Sequence, residues 1–523
     1  MLLYASILLL SLTPIAMWMV RLIRPRFVYH WLIALGGALA AWPLTLLAGM
    51  DLPQTLPLVT WQPESLFPQS PVLVADMYSW PFAVALATLV LAVILTDVAR
   101  LSEADWSNWA GSLLMGSFGL LGVMAGNLLT LLLIWMAIDF LELALLFTQV
   151  SDSSTRERVV IAFSARVLGS VLMIAAILSA GPTNEPLGSG LLPPRVILLL
   201  LLASGLRLGV FPLHLPFLRE PPLRRSLGTM IWLVPPAATL ILIVRTAVVI
   251  ENSASPPLWT PFLLAFSGLA AFFAASSWLF ASDELEGRPA WILAFASFVL
   301  ASALRAQPEA ALAWGVAALL SGGLIFLYWP RHRQLRWLGL LGALGISGLP
   351  FLPTWAGTML FTPPLYPVAL LFLLAHVLLL IGYVRHALRE TPLLNEVEPW
   401  VWFVYPLGLV LLPLSQLAFG WITRLALDQV PLVAWVEGAL ATGLAIFVSI
   451  WRSRKEPYED LRPGHLSQVF SVEWLYRALW WIYRLISRWV DFLTDVLEGE
   501  GGILWGVLWV ALLVSLFLLG TGY

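Results

Sequence analysis

Run after run of about twenty residues in this chain passes with scarcely a charge. That pattern leaves few folds open. A helix needs about 20 apolar residues to cross the hydrocarbon core of a bilayer. Segments that meet this need lie at 2–20, 30–50, 77–97, 107–125, 127–149, 159–180, 194–213 and 228–250. They continue at 257–282, 289–306, 309–329, 335–361, 366–386, 400–423, 432–451 and 501–520, sixteen in all. In lipid every backbone amide must find its partner internally, so such segments fold as helices. Only 11% of the 523 residues are charged, against about 25% in a soluble chain. Too few charges remain to cover a water-facing surface. The first segment, Met1 to Val20, has no basic stretch before it and no small-residue cleavage site. It is expected to stay as a helix rather than leave as a signal peptide.

Arginine placement tests the count. Arg21, Arg24 and Arg26 follow span one; Arg156 and Arg158 follow span five; Arg219, Arg224 and Arg225 follow span seven. Arg331, Arg333 and Arg336 follow span eleven, Arg385 and Arg389 span thirteen, and Arg452, Arg454 and Lys455 span fifteen. All fall after odd-numbered spans. The opposite loops, such as 51–75 and 251–256, carry acids and almost no arginine. The expectation is a multi-pass protein of the cell membrane with both termini on the non-cytoplasmic side. A net charge of −2 points to no nucleic-acid partner, and the absence of cysteine excludes disulfides, thiolate metal sites and cysteine-held clusters. No nucleotide loop or nucleophile constellation is present, so no cofactor, no metal and no autonomous catalysis are expected.

Two spans are interrupted. One reads Gly205-Leu-Arg-Leu-Gly-Val-Phe-Pro212, the other Gly345-Ile-Ser-Gly-Leu-Pro-Phe-Leu-Pro353. Proline removes a backbone donor and breaks the helical ladder. One such break reads as a packing kink. Two breaks, five spans apart, read as an internal repeat with the interruptions at corresponding places. Further on, Val472 to Val490 places Arg477, Arg484 and Arg488, with Asp491 just beyond, at helical spacing among Trp, Tyr, Ile and Leu. That is the pattern of an amphipathic helix lying in the membrane interface, on the cytoplasmic side by the topology above.

The fold expected is therefore an all-α integral membrane protein of about 16 transmembrane helices, with two broken helices in an inverted-repeat core. Its divisions are N-terminal helices at 1–106, a first repeat at 107–250, a second at 257–386 and C-terminal helices at 400–451. The amphipathic lateral helix at 466–500 and a terminal anchor at 501–523 complete it.

Ionisable groups inside a membrane span are functional candidates. Asp139 and Glu142, three residues apart, share one helix face. Arg166 falls early in the next span, Arg207 just before the first break and His214 just after it; His376 and Glu437 lie in late spans. These seven are the candidate proton or ion path. The competing readings are a static ion pair between Asp139 or Glu142 and Arg207 or Arg166, and, for Arg166, a side chain reaching for the helix end.

These residues resemble a known family: the antiporter-like subunits of respiratory complex I, of Mrp cation/proton antiporters and of membrane-bound hydrogenases. Phe211-Pro-Leu-His-Leu-Pro-Phe-Leu218 resembles the Phe-Pro-Leu-His run in the family's broken seventh helix, and Ser347-Gly-Leu-Pro-Phe351 the break of its twelfth. Asn127 through Trp135 resembles the start of the fifth helix; Asp76 and Arg245 match residues near the third and eighth. The amphipathic helix before a last span is similar to the lateral helix of the distal complex I subunit, in shorter form. The resemblance implies proton translocation through a glutamate after the fifth-helix tryptophan, a lysine before the seventh-helix proline, a lysine or histidine in the eighth helix and a lysine or glutamate in the twelfth. Here those positions hold Met136, Arg207, Trp232 and Thr358, and the single lysine, Lys455, lies in a loop.

Lysine can lose its proton when buried; arginine cannot. The resemblance therefore implies a membrane-arm subunit, partnered by other membrane subunits and lipid, with its relay largely replaced and its role structural or coupling. Two alternatives stand beside it. One is a proton- or Na⁺-translocating subunit that uses Asp139, Glu142 and the nearby His and Glu. The other is a membrane anchor for a soluble redox or CO₂-handling enzyme.

Overall fold

A computed structural model describes residues 2–61, 70–100, 105–150, 153–181, 187, 192–214, 225–253, 257–328, 335–350, 352–362, 367–389, 398–422 and 431–453, with single positions between 477 and 511. The protein is a multi-pass, all-α membrane bundle. Fifteen α-helices are described: α1 Leu2–Ile23, α2 His30–Leu47, α3 Ser79–Thr96, α4 Trp106–Val123, α5 Leu128–Gln149, α6 Ser153–Ala180, α7 Pro194–Leu208 and α8 Arg225–Glu251. The others are α9 Thr260–Phe280, α10 Arg288–Leu304, α11 Pro308–Leu327, α12 Arg336–Gly345, α13 Pro367–Leu388, α14 Val401–Ile422 and α15 Leu432–Ser453. Each answers to one of the first fifteen predicted spans. Among the described residues, ten helices are long and apolar enough to cross a bilayer on length and composition alone.

The chain divides into two units, 1–470 and 471–523. In the first, α3, α8, α10 and α11 are buried almost throughout. Continuous apolar sequence makes this possible, because such helices have no polar face to keep in water. Around them α4 packs on α5, α5 on α6, α6 on α7, α7 on α8, and α8 back on α4. The next five helices pack in the same order: α9 on α10, α10 on α11, α11 on α12, α12 on α13, and α13 back on α9. The interrupted helices, α7 and α12, hold the same place in each ring.

One feature departed from expectation. The stretch 51–75, read as a polar loop, forms an antiparallel hairpin, β1 Gln54–Pro57 with β2 Val72–Ala75. The hairpin is tied to the bundle by Gly126 N–H donating to Val72 O (2.8 Å) and by Asn127 Nδ2 donating to Ser70 O (2.8 Å). Four-residue strands are too short for their alternation to be seen in sequence. The twelfth span breaks where its glycines and prolines predicted. It is a ten-residue helix, an irregular turn and a 3₁₀ segment, Ala356–Phe361. In the second unit Arg477, Trp480, Trp481, Arg484, Leu485 and Arg488 are helical and exposed; the rest of the predicted lateral helix and most of the anchor at 501–523 lie outside the described residues.

Candidate functional site

Helix α5 is fixed at its start by Asn127, whose Oδ1 accepts hydrogen bonds from Thr130 N (2.8 Å) and Thr130 Oγ1 (2.7 Å). This is an N-cap, and it sets which residues face inward three turns later. Asp139 and Glu142 both do, at 3% and 0% exposure. Met136, to which the sequence resemblance assigns the glutamate position, is 42% exposed and faces away from the interior. The inward carboxylate, Asp139, lies one turn further along the helix.

Across from α5, α6 and α7 each supply an arginine. Arg207 forks onto Asp139: Nη2 donates to Oδ1 at 2.7 Å and Nη1 to Oδ2 at 2.8 Å. Nη1 also reaches the backbone O of Arg166 (3.2 Å) and Ser170 Oγ (3.3 Å). Arg166 forks onto Glu142 through both terminal nitrogens and lies 3.7 Å from Asp139 Oδ1. The Trp135 ring supports the Arg207 guanidinium from 4.3 Å and donates its own N–H to Ala238 O on α8 (3.0 Å). At Gly169 an added Cβ would stand 2.6 Å from Arg207 Cγ, so a glycine there lets the arginine stem pass α6 to reach α5.

Two carboxylates and two guanidiniums thus close a charge-balanced quartet across three helices. Both arginines keep their protons, and paired forks are the strongest geometry a carboxylate can find. Arg166 is not reaching for a helix end; it is buried in mid-helix, held by Glu142.

His214, His376 and Glu437 take no part in the quartet. His214 is buried after the first break, where Gly209 turns the chain with φ 82° and Val210 N–H closes onto Gly205 O at 2.7 Å. The His214 ring folds back, with Nδ1 donating to Pro212 O (2.7 Å). His376 serves the second break. Its Nε2 donates to Ile346 O (2.7 Å), and Trp314, Phe298 and Phe361 surround the ring. Glu437, partly buried on α15, precedes Gly438, where an added Cβ would come within 2.6 Å of Gly348 O.

The second break is held by neutral groups. Gly348, with φ 68°, turns the chain. Thr354 Oγ1 accepts from Gly348 N (3.0 Å) and donates to Gly345 O (3.2 Å). Gln416 Nε2 donates to Gly345 O (3.1 Å) and pairs with Ser321, while Thr442 Oγ1 donates to Ser347 O (2.5 Å). Thr358, to which the sequence resemblance assigns the twelfth-helix relay position, donates its hydroxyl to Trp355 O (2.6 Å). Trp232, at the eighth-helix position, is buried in α8. A search limited to ionisable residues misses Ser170, Ser321, Thr354, Gln416 and Thr442. The visible signal was a glutamine inside the fourteenth span.

Another charged layer was also missed. Glu284, between α9 and α10, is buried and accepts from Arg225 Nη2 (2.7 Å), with Arg389 Nη1 4.0 Å away. Beside them Arg288 reaches Arg225 O (3.3 Å) and Thr229 Oγ1 (3.2 Å). Arginines read as loop charges therefore also fasten helix ends. At the other end of α8, Arg245 meets Asp76 Oδ2 at 3.3 Å, and Asp76 Oδ1 accepts from Ser79 N at the start of α3 (2.7 Å).

No family profile and no curated protein sequence matches the chain. Solved structures match its fold. A chain of the archaeal membrane-bound sulfane sulfur reductase, a respiratory membrane complex, aligns over the full length of both chains at 14% identity with a TM-score of 0.66. A chain of the Mrp complex from Dietzia sp. DQ12-45-1b aligns over 99% of this chain at 15% identity and a TM-score of 0.70; this chain spans 62% of that one. A chain of Thermus thermophilus respiratory complex I aligns over 86% of this chain and all of its own length at 18% identity and a TM-score of 0.59. The chain has the fold of the antiporter-like membrane subunits.

Proposed function

We propose that the chain is a membrane-arm subunit of a complex-I-like or Mrp-like assembly, in which the relay that moves protons in this fold has become a structural brace. Its partners would be sister membrane subunits, and both termini would lie on the non-cytoplasmic side. The matching rings α4–α8 and α9–α13 are what two inverted halves would produce. The observation that carries the reading is Arg207 forked onto Asp139 at 2.7 and 2.8 Å. A cation that does not release its proton holds the inward carboxylate, while the second break is held by neutral hydrogen bonds. A proton or Na⁺ path through Asp139 and Glu142 would need each carboxylate to leave an arginine fork.

The test is coupled transport. The purified assembly carrying Asp139→Asn or Glu142→Gln, reconstituted in proteoliposomes, should move as many protons per turnover as the parent while yielding less intact complex. Loss of coupled proton movement with the assembly intact would overturn the structural role. Purification of the native protein alone, without sister membrane subunits, would overturn membership in an assembly.

A further inference from the structure

In the second unit, Arg477, Arg484 and Arg488 are helical and exposed, as are Trp480, Trp481 and Leu485. At about 100° per residue the three arginines fall within an arc of about 40°, with Trp480 and Trp481 on its two flanks and Leu485 beyond Trp481. The stripe runs ~16 Å from the first arginine to the last. Arg484 Cζ stands 6.0 Å from the Trp480 ring centroid, so indole and guanidinium share one surface. Trp480 is 45% exposed and Trp481 61%.

We infer that this stripe binds the headgroup phosphates of anionic phospholipids. Charge complementarity carries the choice of occupant. Three planar forks aligned on one face suit tetrahedral oxyanions, which guanidinium grips through two parallel hydrogen bonds. The flanking indoles supply what the boundary between headgroups and acyl chains rewards, an apolar ring with one polar edge. The inference goes beyond the proposed role in an assembly and does not depend on it.

The chain contains no cysteine, which gives a clean experiment. Full-length protein carrying Leu485→Cys, labelled with an environment-sensitive nitrobenzoxadiazole dye, is reconstituted into vesicles of phosphatidylcholine alone or with phosphatidylglycerol. The label should be shielded from aqueous acrylamide, a neutral quencher that the vesicle charge does not repel, severalfold more strongly in the phosphatidylglycerol vesicles, and high salt should reduce the difference. Each arginine near an anionic surface contributes about a fivefold preference. R477Q/R484Q/R488Q should therefore abolish the lipid dependence, and R477K/R484K/R488K should keep most of it. Equal quenching of the unmutated chain in both vesicles would overturn the inference, whether or not the glutamine variant folds. So would shielding that arises only when sister subunits are added, since the face would then belong to a protein partner.

Discussion

Arg207 decides what the buried carboxylates can do. An uncompensated charge in a membrane interior is expensive, and removing one member of a buried pair strands the other. Arg207→Ala should lower the stability of the detergent-solubilised protein by about 3–5 kcal/mol, read as a fall in its thermal midpoint. Adding Asp139→Asn should recover much of that loss, because the stranded carboxylate is gone. A double variant no more stable than the single would show that the arginine acts through packing against Trp135 and Gly169 instead. Glycine is decisive at one further residue. Gly348 sits at φ 68°, and an added Cβ would stand 2.9 Å from Thr358 Cγ2. Gly348→Ala should cost about 1–2 kcal/mol from the left-handed backbone alone, more with the clash, in the same thermal measurement.

At the scale of elements, the two broken helices solve one problem by opposite means. A break frees carbonyls that lipid cannot satisfy. After α7 the chain closes on itself through Val210 N–H and His214. After α12 the carbonyls of Gly345, Ile346 and Ser347 are met by Gln416, His376 and Thr442, drawn from α14, α13 and α15. The second break therefore depends on three other helices. Gln416→Leu should leave Gly345 O without this donor and cost about 1–3 kcal/mol, with loss of α14 packing detected as faster amide exchange around 340–350. Unchanged exchange there would mean that Thr354 alone suffices. Both breaks, and the fifteen helices around them, were legible because proline and long apolar runs act locally. Pairing was only half legible. The i, i+3 spacing of Asp139 and Glu142 put them on one face, but which arginine each would take depends on how α6 and α7 lean on α5. The polar lattice around α12 was legible only in His376 and in the glutamine of the fourteenth span. Neutral serines and threonines in apolar spans usually bond their own helix, as Ser267, Ser297 and Ser302 do here. Only the fold separates Ser321 and Thr442 from these.

For the whole molecule, orientation ties the arginine pattern to the architecture. If the positive loops face the cytoplasm, the link between α1 and α2 lies inside and the β-hairpin with its neighbours lies outside. Val28 is 79% exposed in the first of these, and Val59 58% exposed beside the second. Cysteine placed at either site is the only thiol in the chain, so labelling has no background. In right-side-out membrane vesicles a charged, impermeant maleimide should modify Val59→Cys and leave Val28→Cys untouched until the membrane is permeabilised. The reverse pattern would invert the molecule and put the arginine layer around Glu284 on the outside. The physical expectation favours the first arrangement. Arg225 and Arg389 both approach Glu284, at 2.7 and 4.0 Å, and a layer rich in arginine is held most favourably beside the anionic cytoplasmic leaflet. Equal labelling of both sites from outside would break the alternation on which the span count rests. It would require an even number of crossings between 28 and 59, where the structure places α2 alone.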